Sequence, residues 1–301
     1  GAKQSFEKSS HTLNAESAKK RSINSHSRIF NSVKQIGTCL ELIKTSNSYL
    51  QSKISANTLV ASIDGGHIKE RGDKRSFEAM VANVYSPSNL ISANKNHNKL
   101  TSKTIVASAK SDQQETIKKL GMTMETHLVC LADGAENCWS IAQSVRKSCK
   151  EYIFILDWFH IAMKFKNISI PEEYEKVYEK AKWNLWHGRQ ERSIECLTEI
   201  KEKIEDTSVA TKLKKLIVYI DNNKENIVNY GDRKKKGLVF TSNQAEGTVN
   251  TLINTRQKGK QKMLWSRDGA HNVLQIRSSI LSESWKNDWQ KVEEKMYKKA
   301  A

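Results

Sequence analysis

Three acidic residues occupy positions from which their carboxylates could bind metal ions. Asp64 and Asp133 each end an apolar run and are each followed by glycine, and Glu246 begins a basic stretch with helical character. Mg²⁺ and Mn²⁺ prefer hard oxygen ligands, and two such ions about 4 Å apart can activate the attacking and the leaving oxygen of a phosphodiester. Either aspartate alone is better explained as an ordinary Asp-Gly turn, but the three together favour a two-ion site for phosphoryl transfer.

Five apolar segments predict β-strands that would bring the two aspartates together. Strand–helix alternation after the third segment predicts parallel pairing with right-handed crossovers, and the first three segments predict a meander. If the first and fourth strands are parallel neighbours, Asp64 and Asp133 converge, because sites in open α/β sheets lie beyond the carboxyl ends of the strands. The fold class is therefore α/β, a mixed sheet with helices on its faces. The strands are Leu59–Asp64, Phe77–Tyr85, Thr104–Ala109, His127–Ala132 and Tyr152–Leu156, with helices from Ser111 to Leu120 and over Trp139–Val145.

The remaining segments define the expected domain organisation. Residues 1–56 form an N-terminal region, disordered to about Ser27 and then helical from Ile29 to Leu50. Residues 163–237 show apolar stripes at helical spacing and no strand signal, which predicts an all-helical insertion. The catalytic domain would then comprise residues 57–162 and 238–282, with a helical tail at 283–301. The chain begins Gly-Ala without Met, which is compatible with a processed fragment that lacks an N-terminal module.

A second constellation, Asp157-Trp-Phe-His160, follows the fifth predicted strand. The spacing would suit zinc, but no partner ligands are evident. A hydrogen-bonded pair that orients the floor of the site or grips the substrate is the favoured interpretation. A purely structural pair remains the alternative.

The stretch after Glu246 is strongly basic and carries one tryptophan near its end. Its cations could contact DNA phosphates, or they could form a solvated basic face. Tryptophans can stack on unpaired bases, although those on apolar helical faces are better explained as core. The candidates for DNA binding or for orienting the site are Arg256, Lys258, Lys260, Lys262 and Trp265, together with Asp157 and His160.

Composition favours a polyanionic partner. The net charge is +17 over 301 residues and the pI is near 9.5, which favours nucleic acid first and an anionic membrane surface second. A membrane-surface protein would need a basic amphipathic helix with aromatic anchors, and none is evident. The five cysteines contain no CxxC pair, so a disulfide framework or zinc ribbon is disfavoured. We expect a reduced, cytoplasmic, nucleoid-associated protein that does not enter the membrane.

These motifs resemble insertion-sequence DDE transposases with a ribonuclease-H-like core, of the group related to Mutator-like elements. The resemblance covers roughly residues 57–282. The first two acids and the Asp-x-x-His pair match the family's signatures, and so does the segment that bears the glutamate. The matching stretches are Ile63-Asp-Gly-Gly66, Ala132-Asp-Gly-Ala135, Asp157-Trp-Phe-His160, Ser242-Asn-Gln-Ala-Glu246, Asn254-Thr-Arg-Gln-Lys258 and Met263-Leu-Trp-Ser-Arg-Asp-Gly-Ala270.

The resemblance implies a function and a site. It implies a ribonuclease-H-like mixed sheet flanked by helices, with an all-helical insertion before the last catalytic helix. Asp64, Asp133 and Glu246 would hold two Mg²⁺ (or Mn²⁺) ions, and His160 would contact DNA or steady the site. The activity would be strand cleavage at transposon ends and transfer of the freed 3′-hydroxyl to target DNA, by a homo-oligomer. The family's N-terminal DNA-binding region is short here and lacks a clear helix-turn-helix or zinc motif.

Two rival functions share the same residues. A structure-selective nuclease of the ribonuclease-H type would use the acids without end recognition or strand transfer, and the long helical insertion favours the transposase over it. A non-catalytic DNA-binding protein derived from a transposase would not need the acids, and the presence of all three weakens that alternative.

Overall fold

The structure, a computed structural model, describes residues 2–17, 24–44, 57–72, 75–94, 97–111, 124–243, 247–258 and 263–297. The strands are β1 (Thr58–Lys69), β2 (Ser76–Tyr85), β3 (Leu90–Asn94), β4 (His97–Leu100), β5 (Thr104–Ser108), β6 (His127–Ala132) and β7 (Glu151–Leu156). The first eight helices are α1 (Phe6–Glu16), α2 (His26–Lys44), α3 (Glu136–Ser144), α4 (Trp158–Lys166), α5 (Glu172–Trp186), α6 (Gln190–Lys203), α7 (Thr207–Asn222) and α8 (Tyr230–Lys235). The helix α9 starts at Gly247–Val249 and continues in π-helical geometry over Asn250–Lys258, and it is followed by α10 (Arg267–Leu281) and α11 (Trp285–Tyr297).

A five-stranded mixed sheet organises the chain. Its strand order is β5-β2-β1-β6-β7, with β1, β2 and β5 antiparallel and with β1, β6 and β7 parallel. The predicted meander and the parallel pairing of the first and fourth predicted strands are therefore confirmed. The hairpin of β3 and β4, which forms a separate two-stranded sheet, was not predicted.

The strand β1 is twice as long as predicted because the Asp64-Gly-Gly sequence does not turn. Gly65 and Gly66 continue the strand and pair with β2. A Cβ atom on Gly65 would lie 2.3 Å from Glu78 Oε1, and one on Gly66 would lie 2.7 Å from Ile253 Cδ1. The two glycines therefore admit close neighbours on each face of the sheet, and the predicted end of the strand at Asp64 was wrong.

Alternation along β1 places Asp64 between two cores on one face of the sheet. Leu59, Ala61 and Ile63 face a core shared with α3. On the opposite face, Val60 packs with the helices that follow β7, and Ile68 packs with α2, α9 and α10. Successive residues of a strand point to opposite faces, so Asp64 lies on the same face as Val60 and Ile68. It is therefore located where the core around Val60 meets the core around Ile68.

Outside the sheet the structure is helical. Residues 163–237 contain the end of α4 and the helices α5 to α8, in the stretch where the sequence predicts an all-helical insertion. The opening segment, for which disorder was expected, contains α1. Ser5 caps this helix by accepting the N–H of Lys8, and Phe6 packs edge-on against Phe30. The helix predicted from Ser111 to Leu120 and residues 45–50 of the second predicted helix lie outside the described residues.

Candidate active site at the carboxyl edge of the sheet

Three aspartates end up side by side through strand register. Ile63 pairs with Ala132, and Ala132 pairs with Leu156, in three neighbouring parallel strands. Asp64 in β1, Asp133 directly after β6 and Asp157 directly after β7 are the next residues beyond these pairs. Because neighbouring strands are about 4.8 Å apart, the register brings their carboxylates to one edge of the sheet.

The electrostatics of Asp64 reflect this clustering. Burial raises the pKa of its carboxyl above the ordinary value, and the hydrogen bond from the N–H of Gly65 (2.8 Å) opposes that rise. His160 lowers this pKa further, whereas the negative charges of Asp133 and Asp157 raise it. Burial and the neighbouring carboxylates make the ionised form of Asp64 less favourable than in water, and a bound cation would offset both effects.

The helical insertion supports the turn that carries Asp133. The carbonyl of Asp133 accepts the hydroxyl of Tyr219 on α7 at 2.7 Å. Gly134 has a φ of 91°, and a Cβ atom there would lie 2.8 Å from Oδ1 of Asn223, just after the same helix. Asn223 Oδ1 also accepts the indole N–H of Trp139 at 3.0 Å. The end of α7 thus packs directly on the second acid's turn.

Asp157 is buried and has several partners. Only 1% of the residue is exposed. Its Oδ1 accepts the backbone N–H of Ser242 (2.9 Å) and that of Phe159 (3.2 Å), and its Oδ2 accepts the hydroxyl of Ser242. His160 Nε2 lies 3.6 Å from Oδ2, beyond hydrogen-bond distance. The predicted Asp157–His160 pair is therefore a looser contact than the one between Asp157 and Ser242.

Glu246 lies outside the described residues, as do Lys260 and Lys262. The described residues on either side of Glu246 are close to the strand edge. Ser242 is bonded to Asp157, and Val249 and Ile253 of α9 pack against Gly66, two residues after Asp64.

Arg256 and Trp265 are buried, at 1% and 3% exposure. The guanidinium of Arg256 lies 4.7 Å from the centre of the Trp265 ring and 5.2 Å from that of Phe6, and burial lowers its pKa to about 10. The backbone of Trp265 bonds to the end of β1, since its N–H donates to Lys69 O at 3.0 Å. Their burial is unsuited to contact with DNA, and the rings around the guanidinium belong to the hydrophobic core. Lys258 is exposed, as a phosphate contact would require.

Sequence reasoning missed Glu78, Tyr219 and Ser242. Glu78 lies on β2 beside Gly65, and its Oε2 accepts the side-chain amide of Asn137 at 2.6 Å. No local sequence pattern marks Glu78 or Tyr219, because their roles depend on strand pairing and on helix docking. Ser242 lies in the segment that resembles the transposases, and that resemblance was the only sequence signal that pointed to it.

The donor set suits a hard divalent cation more than a soft one. Asp64 and Asp133 provide carboxylate oxygens on adjacent strands, and the raised pKa of Asp64 marks a site where positive charge is favourable. Within the described ranges, no group of three or more His, Cys, Asp and Glu side chains is arranged to hold a metal ion. All five cysteines are buried, and burial raises the thiol pKa of Cys138, next to Asp133, which disfavours its nucleophilic thiolate form.

The fold and this edge define an α/β protein with a cluster of acids at the carboxyl ends of parallel strands. The chain belongs to the uncharacterised protein family UPF0236, whose pattern matches residues 2–297. None of the curated proteins matches the chain. None of the helices in the described parts of the chain is long and apolar enough to cross a membrane.

Proposed function

We propose that this protein is a DNA transposase that catalyses metal-dependent strand cleavage and strand transfer at transposon ends. The observation that carries the proposal is the register that sets Asp64 and Asp133 on adjacent parallel strands. The sheet order, with a three-stranded antiparallel part joined to two parallel strands, is compatible with a ribonuclease-H-like core. The net charge of +17 suits a DNA partner.

The residues of the site would have separate roles in metal binding and DNA contact. Asp64 and Asp133 would hold Mg²⁺ or Mn²⁺, and Glu246 would complete the ligand set. The ions, when bound, neutralise charge on the phosphate and lower the pKa of the attacking hydroxyl or water. His160, whose side chain is 26% exposed beside Asp157, would contact the DNA strand at the edge of the site. Lys258 on α9 would contact phosphate.

The docking of the helical insertion supports a transposase over a simple ribonuclease-H-type nuclease. The insertion is bonded to the turn that carries Asp133 through Tyr219, so it forms part of the site's support. By the resemblance, an all-helical insertion at this point is a feature of the transposases. A location in the cytoplasm and assembly into a homo-oligomer belong to the same proposal.

The test is nicking of supercoiled plasmid with Mg²⁺ or Mn²⁺, comparing the wild type with Asp133→Ala. We expect metal-dependent nicking that the substitution abolishes while DNA binding is retained. Asp221→Ala is the matched control, because it removes an equal charge from the exposed end of α7, where Asp221 contacts only Lys224 among its recorded ion pairs. It should nick as the wild type does.

Three results would count against the proposal. Nicking that survives Asp133→Ala would refute the assigned site. Plasmid binding without nicking by the wild type, with Mn²⁺ present, would favour the non-catalytic DNA-binding alternative. Nicking without joining of a 3′-hydroxyl end to target DNA, tested with the transposon-end sequence once it is known, would favour the nuclease.

A further inference from the structure

The segment that returns from the helical insertion to the sheet is held along its length by hydrogen bonds. The N–H of Leu238 donates to Arg233 O at 2.8 Å, and Arg233 Nε donates to Val239 O at 2.9 Å. Further on, the N–H of Trp158 donates to Phe240 O at 3.4 Å. Residues 238–240 therefore lie between α8 and the start of α4, and the path leads to the strand edge.

At its end, the returning segment contacts the carboxylate of Asp157 through Ser242. Ser242 donates both its backbone N–H and its hydroxyl to Asp157, one to each oxygen. The same carboxylate caps α4 through the N–H of Phe159. Burial of Asp157 removes the water that would compete for these hydrogen bonds.

This arrangement distinguishes Asp157 from its two neighbours. Asp64 and Asp133 each accept one recorded backbone N–H, from Gly65 and from Ala135, and both are partly exposed at the strand edge. Both oxygens of Asp157 are engaged by protein donors and only 1% of the residue is accessible. A cation at Asp157 would have to compete with these donors and reach a carboxylate that is closed to solvent.

We infer that Asp157 is a positioning residue, and not a metal ligand, which acts through Ser242 to hold the returning segment against the carboxyl edge of the sheet. In the sequence, Glu246 follows Ser242 by four residues. This inference rests on the proposed function for its catalytic consequence. The tether between the two residues is independent of any activity.

The tether is tested by hydrogen exchange of the Ser242 amide in the full chain. Asp157→Ala should accelerate exchange of that amide by about tenfold or more, since it removes a charge-assisted acceptor. Asp157→Asn retains an oxygen that accepts this amide and should stay within a few-fold of the wild type. Asp206→Ala is the matched control, because Asp206 caps α7 in the same way and has no recorded bond to the returning segment. Unchanged exchange in Asp157→Ala would overturn the inference.

A second variant keeps the test decisive if Asp157→Ala does not fold. Ser242→Ala removes only the hydroxyl bond and leaves the backbone N–H bond in place. We expect its amide at position 242 to remain protected while the exchange of neighbouring amides rises by a few-fold. If residues 239–243 are protected as well as in the wild type, the hydroxyl bond does not stabilise the segment. That result would overturn a role for the Ser242 side chain.

Nicking measurements separate positioning from metal binding. Asp157→Ala should lower the maximal nicking rate by about tenfold or more, with plasmid affinity unchanged, and Asp157→Asn should restore most of it. A ligand role predicts instead that Asn is as inactive as Ala and that a high concentration of Mn²⁺ restores part of the rate, because loss of a ligand weakens metal affinity. That result would overturn the inference. If the wild type fails to nick, the proposed function fails, while the exchange experiment still decides whether the tether exists.

Discussion

Replacing Glu41 with glutamine should destabilise the protein in a pH-dependent way. Glu41 lies on α2, and its Oε1 accepts from His271 Nε2 on α10 (3.2 Å) and from Lys110 Nζ after β5 (2.7 Å). His271 is 1% exposed, and its Nδ1 accepts the N–H of Ala109 at 3.3 Å, so the proton on Nε2 is directed at Glu41. One carboxylate therefore joins α2 to α10 and to the edge of the sheet.

The size of the effect follows from the pKa of Glu41. The hydrogen bond from His271, and then that from Lys110, lower this pKa from 4.5 to about 2 against the opposing effect of burial. At about 1.4 kcal/mol per pKa unit, the shift corresponds to an upper bound of about 3 kcal/mol. Lys110 is 36% exposed, so solvent screening reduces the gain, and we expect about 1–2 kcal/mol at pH 7.

The sign of the pH dependence is set by the lowered pKa. A carboxyl with a lowered pKa in the folded state stabilises that state fully above about pH 4.5, and the contribution is lost as pH falls towards 2. Urea unfolding followed by tryptophan fluorescence should therefore show the full difference between wild type and Glu41→Gln at pH 7. Less than half of that difference should remain at pH 3.

Glu199→Gln provides the control, because Glu199 pairs with Lys203 at 2.7 Å on the exposed surface of α6. We expect no measurable change in its unfolding curve. Equal stability of Glu41→Gln and wild type at pH 7 would refute the reasoning. So would a difference that is as large at pH 3 as at pH 7, because a packing defect does not titrate.

Further predictions concern the site and its supports. Tyr219→Phe removes the bond to Asp133 O and should slow metal-dependent nicking by about 3–10-fold while plasmid binding stays constant; an unchanged rate would mean that the insertion does not support the acid. Gly66→Ala forces a methyl group against Ile253 and should destabilise the protein by about 1–3 kcal/mol in urea unfolding, whereas stability equal to wild type would contradict the close contact of α9 with β1. Lys258→Gln should weaken plasmid binding and reduce the slope of log K against log salt by about 1, and an unchanged slope would remove Lys258 from the DNA contacts.

The sequence was sufficient for β6 and β7 because each is a short apolar run, a pattern that marks a buried strand locally. β6 agrees with its predicted bounds at Ala132, and β7 ends at the predicted Leu156. The parallel pairing of β6 and β7 could be predicted because a helix lies between them in the sequence. The prediction of Asp64 and Asp133 as neighbours therefore needed only local patterns and the handedness of crossovers.

The rest depended on contacts between residues far apart in the chain. Glycine after Asp64 signals a turn locally, but Glu78 and Ile253 fill the space that the two glycines leave, so the strand continues. Arg256 looks like a surface cation in a basic stretch, yet Phe6 from the first helix covers it. Because aromatic rings from two distant segments enclose its guanidinium, no local pattern could have indicated its burial.

The contacts of Ser242 and Trp265 have a consequence for protein synthesis. Ser242 bonds to Asp157, and the backbone of Trp265 bonds to Lys69. The contacts around the strand edge are thus completed by Ser242 and Trp265, which are translated long after the strands themselves. Domains fold while the chain emerges from the ribosome, N-terminal parts first. Under the proposed function, a nascent chain would then carry Asp64 and Asp133 without the contacts that complete their surroundings while residues 134–242 are synthesised, so any cutting of nearby DNA would wait until that stretch has been translated.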